Sequence, residues 1–545
     1  MSARTTTAQA PVGAPGTTAA QAPARPGRRL LAGGTRSAVR GRHHGGGEPA
    51  VVVGGGIAGL ASAALLAAEG YSVDLLERRD EVGGRAGSWS REGFRFDTGP
   101  SWYLMPDVFD HFFRLLGTSS DAQLDLGVLD PGYRVFFEAL QPGAGAGLRD
   151  YLASAGEAYD LAVRRFLYTT FQSPLGLLHH DVVGRAGRLA ELLGRPLERF
   201  VARRFADPRI AQILGYPAVF LGSSPDRAPS MYHLMSHLDL ADGVLYPQGG
   251  LTRVVEAVAA LAEREGARLH TGADVTAITT AQGGRRHRAR VRGVRYRGGD
   301  GAEHELPAEV VVGAADLHHV ETELLPPALR TYPQRWWDRR DPGPGAVLAF
   351  LGVEGTLPEL AHHSLLFTTD WRENFDAIRR GRVPRPASAY VCRPSATDAT
   401  VAPPGAENLF VLVPVPADVA LGHGGDDGAG SPAVEAVADA AIDQVAAWAG
   451  IPELRERVVV RRTVGPADFA RDLHAWSGGA LGPAHTLRQS AFLRGRNASA
   501  KVAGLYYAGG STIPGIGLPM CLISAELLVK RLRSDVSSGP LPVPL

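Results

Sequence analysis

The apolar residues near position 50 are ordered as a short buried strand, a helix and a second strand. Residues 51–53 form the first apolar run, and the stretch from Leu60 to Ala68 consists of good helix formers and ends at Gly70. The next apolar run, from Ser72 to Leu76, predicts another strand. A helix between two such strands predicts a βαβ unit and therefore a parallel sheet.

The pattern changes along the rest of the chain. Residues from about 106 to 240 are predicted to be mainly helical. Residues from Tyr246 to about Ala315 return to mixed α/β, with a hairpin-like region near Gly283 to Asp300, and the region from about 316 to 495 is mixed and proline-rich. A strand is predicted at 505–508 and a helix from Met520 to Leu532, with Pro519 in its first turn. We therefore expect an α/β (α+β) protein whose nucleotide-type domain is interrupted by insertions.

Residues 1–48 have a different composition from the remainder. They are rich in Ala, Gly, Pro, Thr and Arg, and no acidic residue precedes Glu48. Such a segment buries too little apolar surface to offset the entropy of ordering, so we predict a disordered extension. The Arg28-Arg29 pair lacks the apolar segment of a secretion signal, and an organellar transit peptide is the alternative interpretation.

Composition and charge exclude several classes of protein. A hydrophobic fraction of 45% and a net charge of +1 are ordinary for a globular protein and do not favour nucleic acid. The two cysteines, Cys392 and Cys521, indicate a reducing compartment rather than a disulfide framework. The uncharged run between Glu48 and Glu69 is long enough to span a membrane, but Gly54-Gly55-Gly56 at its centre favours a dinucleotide loop instead.

That loop has the spacing Gly54-x-Gly56-x-x-Gly59 between the first strand and the first helix. The glycines permit a tight turn, a close approach of a pyrophosphate and close helix–strand packing, and the helix N-terminus, with Ile57 and Ala58, offers free N–H groups. Glu77 ends the second strand, where a carboxylate can hold a ribose hydroxyl. The combination predicts a dinucleotide site.

A second glycine pair follows in Gly83-Gly84-Arg85, and Gly99-Pro100-Ser101 comes soon after. Further backbone contact with an extended cofactor favours FAD over NAD. The glycine-rich start followed by a "GGR" turn resembles the flavin amine oxidase and carotenoid desaturase superfamily. The resemblance implies that Gly83, Gly84 and Arg85 lie along the FAD pyrophosphate and ribityl chain. Neighbouring residues assigned to the same site are Arg78, Gly99, Pro100 and Ser101.

The carboxyl-terminal segment "GLYYAGGSTIPGIGLPMCLISAELL" is similar to the end of bacterial phytoene desaturases, members of the carotenoid desaturase family. The likeness extends from about Ala50 to Arg533, with departures at Gln248, Ala314 and Gly495. It implies that the Val275 backbone contacts adenine. The residues implied at the flavin end are Gly509, Gly510, Gly517, Leu518, Pro519 and Met520.

The same resemblance implies the fold of p-hydroxybenzoate hydroxylase and the amine oxidases. We expect a discontinuous Rossmann-like FAD-binding domain from residues 49–105, 241–320 and 496–535. Residues 106–240 are assigned to a helical cap or membrane-facing region, and residues 321–495 to a substrate domain.

The activity implied is FAD-dependent dehydrogenation of phytoene, stepwise to lycopene, with quinone or oxygen as the electron acceptor. The alternatives are a ketolase, a shorter-chain desaturase, an isomerase, an amine oxidase and a non-redox carrier protein of the same architecture.

An insoluble polyene must be taken from a membrane, so we expect a cytoplasmic protein attached peripherally to the inner face of the membrane. The apolar stripe of Phe109, Phe112, Phe113 and Leu116 is expected to be core rather than membrane-facing.

No catalytic residue is assigned from the sequence. Arg209 and Asp239 are candidates because their segments are expected to border the substrate cavity. We predict no metal site: adjacent residues of a strand face opposite sides, so the doublets His179-His180, His318-His319 and His362-His363 are assigned to surface or packing roles. Cys521 is expected to act as a small buried hydrophobe.

Overall fold

The computed structural model of the chain describes residues 45–130, 137–173, 179–283 and 288–545. The predicted disordered extension therefore lies, up to residue 44, outside the described residues, as do positions 284–287 of the predicted hairpin-like region.

The strands of the described residues belong to three larger sheets and two ribbons. In chain order they are β1 Pro49–Val53, β2 Ser72–Leu76, β3 Ser88–Arg91, β4 Phe94–Asp97, β5 Leu126–Val128, β6 Leu245–Pro247, β7 Arg268–His270, β8 Asp274–Ala281, β9 Ala289–Arg297, β10 Glu303–Pro307, β11 Val310–Gly313, β12 Gly345–Glu354, β13 His363–Leu366, β14 Ala389–Cys392, β15 Ala406–Val415, β16 Val458–Val464, β17 Val502–Ala503 and β18 Leu505–Tyr507.

The helices of the described residues fall between these strands. They are α1 Ile57–Ala68, α2 Pro106–Leu115, α3 Ser120–Gln123, α4 Phe137–Leu140, α5 Ala144–Ala162, α6 His180–Val183, α7 Ala186–Gly194, α8 Leu197–Ala202, α9 Pro208–Gly215, α10 Met235–Leu240, α11 Thr252–Arg264, α12 Leu317–Thr322, α13 Gln334–Trp337, α14 Trp371–Arg379, α15 Pro432–Ala449, α16 Pro466–Leu473 and α17 Leu518–Leu532.

The first sheet is parallel and has the strand order β18-β11-β1-β2-β7. Its central strand β1 is a valine run buried along its length, as expected of a strand covered on both faces. The predicted strand–helix–strand unit is confirmed by β1, α1 and β2, and the predicted carboxyl-terminal strand and helix by β18 and α17.

Helix α1 packs between α17 and α11 on one face of this sheet. Its residues from Ile57 to Ala67 are buried, so it is apolar on nearly all sides. The aromatic stripe of α2 is buried in the same core, which confirms the core assignment of Phe109, Phe112 and Phe113. Helix α2 therefore packs on the parallel-sheet layer, although its sequence position lies within the range assigned to the cap.

The third large sheet is antiparallel, with the order β13-β14-β15-β12-β16. One face packs under α15 through Val391, Val411 and Ile442. The opposite face presents Tyr390, Cys392 and Phe410 towards the β3–β4 ribbon. Alternation of side chains along each strand separates these two sets.

Between α5 and α10 the chain forms a helical layer with its own core, including Tyr151, Phe200 and Leu214. Helix α5 continues into a π-helical turn over Val163–Leu167. Within the described residues, none of the helices combines the length and the apolar character that crossing a membrane requires.

Candidate cofactor site and apolar cavity

A cavity of about 1130 Å³ begins at the carboxyl end of β1 and continues between the antiparallel sheet and the helical layer. It exceeds the ~300–1,000 Å³ of an ordinary small-molecule pocket. One end is lined by glycine-rich turns with charged side chains, and the other by aliphatic and aromatic side chains. The cavity therefore has room for more than one ligand-sized group.

The first glycine turn forms the floor of the polar end. A Cβ on Gly59 would lie 1.9 Å from the carbonyl oxygen of Gly54, so a side chain there would prevent the close approach of α1 to β1. A Cβ on Gly56 would meet no protein atom within 4 Å. The missing side chain of Gly56 thus leaves space that a ligand can fill, next to the uncapped N-terminus of α1.

Glu77 joins the two glycine turns. Its carboxylate accepts hydrogen bonds from the backbone N–H groups of Gly55, at 2.6 Å, and Arg79, at 2.9 Å. The N–H of Gly83 donates in turn to the carbonyl of Gly55, at 2.8 Å. The predicted "GGR" turn is therefore in contact with the first glycine turn, and both line the cavity together with Glu77.

Arg85 extends from the second turn along the cavity wall. Its Nε donates to the carbonyl of Ala480 at 3.0 Å, and its Nη2 lies 4.0 Å from an Asp316 oxygen. Within the described part of the chain, Nη2 is buried and makes no hydrogen bond. A buried guanidinium nitrogen that makes no hydrogen bond fits the negative charge of a pyrophosphate.

The second cradle is the loop before α17. Asn497 donates from Nδ2 to the carbonyl of Ile513, at 2.9 Å, and to the Ser524 hydroxyl, at 3.0 Å. Ser524 accepts from the N–H of Gly509 at 3.1 Å. Buried side chains therefore hold the glycine loop from beneath, and Cβ atoms on Gly509 and Gly517 would come no closer than 3.7 Å to the protein atoms around them.

Two further buried side chains hold the outer part of this loop. The Arg494 guanidinium donates to the carbonyl of Gly510, from Nη2 at 2.5 Å, and the N–H of Ile516 donates to His485 Nε2 at 3.2 Å. Burial lowers the pKa of Arg494 to about 10, and burial followed by repulsion from Arg494 lowers the pKa of His485 well below its ordinary value. His485 therefore stays neutral and can accept the hydrogen bond.

The residues that the sequence assigned to the cofactor line this cavity, apart from Gly59, which supports the turn from behind. They are Gly54, Gly56, Ile57, Ala58, Glu77, Arg78, Gly83, Gly84, Arg85, Gly99, Pro100, Ser101, Val275, Gly509, Gly510, Gly517, Leu518, Pro519 and Met520. The two cradles come from opposite ends of the chain and face one space. An elongated dinucleotide fits them, with two helix N-termini for its anionic groups.

Sequence reasoning missed several residues at the polar end. His319 and His474 also line the cavity, with imidazole planes stacked at a centroid distance of 3.8 Å. Burial, and then repulsion from His474 and Arg78, lower the pKa of His319 to about 3. The pair supplies a flat neutral surface beside the charged end. No local pattern indicates it, because the two histidines belong to separate segments.

At its other end the cavity is apolar. Its wall includes aromatic rings from the antiparallel sheet and from the loop after β4, and aliphatic side chains from the helical layer. These residues are Trp102, Phe350, Tyr390, Phe410, Leu161, Leu189, Leu234, Leu238, Phe220 and Ile516. Such a lining excludes water and matches a long hydrocarbon.

The two candidate catalytic residues do not line this cavity. Arg209 lies in the first turn of α9, its side chain is 61% exposed, and it pairs with Asp207 at 2.6 Å. Asp239 is buried and accepts a hydrogen bond from Tyr216 at 2.5 Å. The expectation that Arg209 borders the cavity is wrong, because the N-capping Asp207 holds its guanidinium at the surface. Asp239 sits one residue beyond the lining side chain of Leu238.

Together the parallel sheet, the paired glycine cradles and the apolar extension define an FAD-dependent oxidoreductase. The family described as flavin containing amine oxidoreductase matches residues 57–532. A carotenoid 3,4-desaturase from Haloarcula japonica is 40% identical over 505 residues, covering 89% of this chain and 98% of the relative. A zeta-carotene-forming phytoene desaturase from Myxococcus xanthus is 34% identical over 505 residues, covering 88% and 93%. The chain belongs to the carotenoid desaturase family of the flavin containing amine oxidoreductases.

Solved structures of low identity agree with the fold. A double mutant of putrescine oxidase superposes with a TM-score of 0.55 at 14% identity, covering 90% of this chain and 99% of that chain. A fatty acid isomerase from P. acnes gives a TM-score of 0.52 at 17% identity, covering 89% and 98%. These structures confirm the predicted amine oxidase-like α/β fold, and the flavin family that matches residues 57–532 confirms the FAD cofactor.

Proposed function

We propose that the protein dehydrogenates phytoene stepwise to lycopene at the junction of the glycine cradles and the apolar cavity. The observation that carries the proposal is the continuity of one cavity from the cradles to an aliphatic and aromatic lining. A substrate without polar groups needs such a lining, and few hydrogen-bonding side chains.

The residues of the chain have distinct tasks in this reaction. Bound FAD supplies a hydride acceptor. The glycine turns at Gly56, Gly83 and Gly509 would hold it, and the uncapped N-terminus of α17 offers N–H groups where negative charge is stabilised. The rings of Trp102, Phe350 and Phe410 would orient the polyene and exclude water.

Desaturation at the 3,4-position of a carotenoid is a second candidate. The relative that acts there is 40% identical, whereas the relative that forms zeta-carotene from phytoene is 34% identical. On this chain, both activities would use the same glycine cradles and the same apolar cavity. They differ in which bond of the polyene is dehydrogenated.

The experiment that separates the candidates supplies the purified FAD-bound protein with phytoene or lycopene in separate liposome preparations. Chromatography with absorption spectra identifies the products. Conversion of phytoene to lycopene supports the proposal. Inert phytoene together with a longer-wavelength product from lycopene favours 3,4-desaturation. Absence of conversion of either polyene, with peroxide formed from an amine, contradicts both.

The cavity mouth supports a proposed peripheral contact with a membrane. Several apolar residues line the cavity and are also exposed at the surface: Val183, Leu193, Leu487, Phe492 and Leu493. Phe171 contacts Phe492 at a ring-centroid distance of 6.1 Å, which brings the helical layer and the loop before β17 together at this opening. A water-insoluble substrate entering here would pass directly from lipid into the cavity. We retain a cytoplasmic location at the inner membrane face as part of this proposal.

Phe492→Ser tests this contact. The variant should lose at least fivefold of its binding to phosphatidylcholine–phosphatidylglycerol vesicles in sedimentation, because a 59% exposed apolar ring at the mouth is removed. Trp448→Ser is the matched control, since Trp448 is 48% exposed but does not line the cavity. Equal binding by both variants would contradict the assignment of the mouth.

A further inference from the structure

Three side chains able to bind a metal lie behind the cavity wall at the edge of the antiparallel sheet. His362, His363 and Cys392 are 4%, 2% and 1% exposed. Each offers one ligand atom, and these three atoms lie within 4.8 Å of one another. The cluster is separate from the glycine cradles and none of its three members lines the cavity.

The strand register brings these residues together. His363 is the first residue of β13 and pairs directly with Cys392 on β14, so their side chains share a face. His362 precedes the strand and is not bound by its alternation. The two imidazoles are 4.5 Å apart between centroids. The prediction that this doublet diverges is therefore wrong, because the strand begins at its second residue.

Hydrogen bonds fix one nitrogen of each ring. His362 Nδ1 lies 2.7 Å from the Thr397 hydroxyl, and His363 Nδ1 lies 2.8 Å from the Tyr390 hydroxyl. In the part of the chain that the structure describes, Nε2 of each ring is buried and makes no hydrogen bond. An oriented imidazole with one fixed nitrogen and one available nitrogen is the arrangement of a metal-binding histidine.

Without an ion, this arrangement is unfavourable. A buried polar atom that makes no hydrogen bond loses its hydration without compensation, and the cluster contains one such atom on each ring.

We propose that His362, His363 and Cys392 bind a monovalent copper ion. Thiolate and imidazole together suit copper and zinc, but structural zinc takes four ligands. Among the described residues the group has no fourth His, Cys, Asp or Glu. As the copper–sulfur bond forms, the Cys392 thiol releases its proton to solvent. The negative charge of the thiolate then balances the positive charge of the copper ion. A buried site without net charge avoids the desolvation penalty of an isolated ion.

Binding requires a modest movement of the ligands. Metal–ligand distances of about 2.0–2.3 Å allow opposite ligand atoms to be at most about 4.6 Å apart. The ligand atoms of the cluster all lie within 4.8 Å of one another, so the contraction that an ion requires is small.

The ion would tie the edge strand β13 to the wall of the cavity. The Trp102 ring, which lines the cavity, stacks on His363 at a centroid distance of 4.3 Å. Tyr390, also in the lining, bonds to the same histidine. The site thus supports two wall residues from behind and would not contact substrate.

The test uses the purified FAD-bound protein, loaded anaerobically with Cu(I) buffered by a chelator and then desalted. Copper and flavin are both quantified per chain. We expect about one copper per chain in the wild type and at least tenfold less in Cys392→Ser. Cys521→Ser, which changes the other cysteine, should retain the copper of the wild type.

A second variant guards against misfolding of Cys392→Ser. His362→Gln should also bind at least tenfold less copper than the wild type while retaining FAD. The X-ray absorption spectrum of copper in the wild type should indicate one sulfur and two nitrogen ligands. The proposal is overturned if the wild type binds no more copper than His362→Gln, if Cys521→Ser loses the copper, or if Zn(II) displaces Cu(I) from the site.

Discussion

At position 56 the chain carries a glycine whose missing side chain faces the cavity rather than a neighbouring element. Its φ of −69° is ordinary for any residue. The glycine is thus required for the ligand and not for the backbone. Gly59 is the opposite case, because a Cβ there would collide with the carbonyl of Gly54.

Gly56→Ala should therefore separate cofactor binding from folding. We expect FAD affinity to fall at least tenfold, about 1.4 kcal/mol, while the melting temperature of the FAD-free protein is unchanged. Fluorescence titration with FAD and thermal unfolding provide the two measurements. Gly187→Ala is the control, since its Cβ also meets no protein atom and it lies outside the cavity lining. Unaltered FAD affinity in Gly56→Ala would show that no ligand approaches this turn.

Because His233 is buried, we expect the helical layer to lose stability in acid. The residue is fully buried, its Nδ1 lies 2.8 Å from the carbonyl of Ser230, and burial lowers its pKa to about 4. The unfolded chain, with an ordinary histidine pKa of 6.5, binds the proton more readily between these values. The contribution of the neutral, buried His233 to the free energy of unfolding is therefore fully present above pH 6.5. The free energy of unfolding then falls by about 3 kcal/mol as the pH decreases towards 4.

Urea unfolding between pH 4 and 7 measures this dependence. His233→Phe should reduce the slope of unfolding free energy against pH in that window, whatever its effect at neutral pH. Leu197→Ala, which weakens the core of the same helical layer without removing a titratable group, should leave the slope unchanged. A slope identical in all three proteins would rule out His233 as its source.

At the scale of single residues, local chemistry predicts the glycine turns but not the side chains that hold them. Gly54 and Gly83 adopt positive φ angles of 105° and 122°, and Gly56 leaves room for a ligand. Arg494 and Asn497 act on backbone and side-chain atoms 16 and 27 residues away. The groups to which Arg494 and Asn497 bond are set by the packing of α17 and its preceding loop against the sheet. No periodic pattern in the sequence predicts that packing.

The loop before α17 depends on one buried amide. Asn497→Ala should destabilise the protein by about 1–3 kcal/mol and accelerate FAD release, because the carbonyl of Ile513 and the hydroxyl of Ser524 lose their donor. The rate of flavin loss at fixed temperature measures the effect. Asn408→Ala is a matched control, since Asn408 is also fully buried and bonds to the backbone of Ser395 and Arg95, outside the cavity lining. Comparable flavin loss from both variants would contradict a specific role for Asn497.

Among the elements, those with strong apolar periodicity were predictable. Helix α1 and strands β1 and β2 follow from the order of apolar residues along the chain, because nearly all of their residues are buried. The short β5–β6 ribbon within a mainly helical prediction was missed, since it joins residues more than a hundred positions apart. The His362-His363 doublet is buried, as its predicted packing role allows, but the close approach of the two rings was not predicted, because a strand boundary cannot be located to one residue from sequence.

Across the whole molecule, the fold class followed from the sequence more reliably than the boundaries. The domain division remains an interpretation. The parallel sheet collects β1, β2, β7, β11 and β18 from three separated stretches, and α2 joins its core. Burial against α17 decides the position of α2, and that contact joins residues some 400 positions apart.

Lys530 connects distant parts of the chain. Its fully buried Nζ donates to the carbonyls of Tyr168, Ser537 and Gly539 at 2.7–2.8 Å. Lys530→Met should reduce stability by about 2–4 kcal/mol, because the carbonyls lose a charged donor. Thermal unfolding checks this, with Lys501→Met as the control at an exposed lysine. If Lys530→Met and Lys501→Met had equal melting temperatures, the buried ammonium of Lys530 would have no structural role.

Because lysine is scarce in this chain, the buried Lys530 can serve as a natural probe of unfolding. Lys501 and Lys530 are the only lysines of the chain. An amine-selective acylating reagent should modify Lys501 in the native protein and reach Lys530 only after the junction between the helical layer and the carboxyl-terminal segment has opened. Mass spectrometry of the peptide containing residue 530 would then time that opening, without an engineered probe.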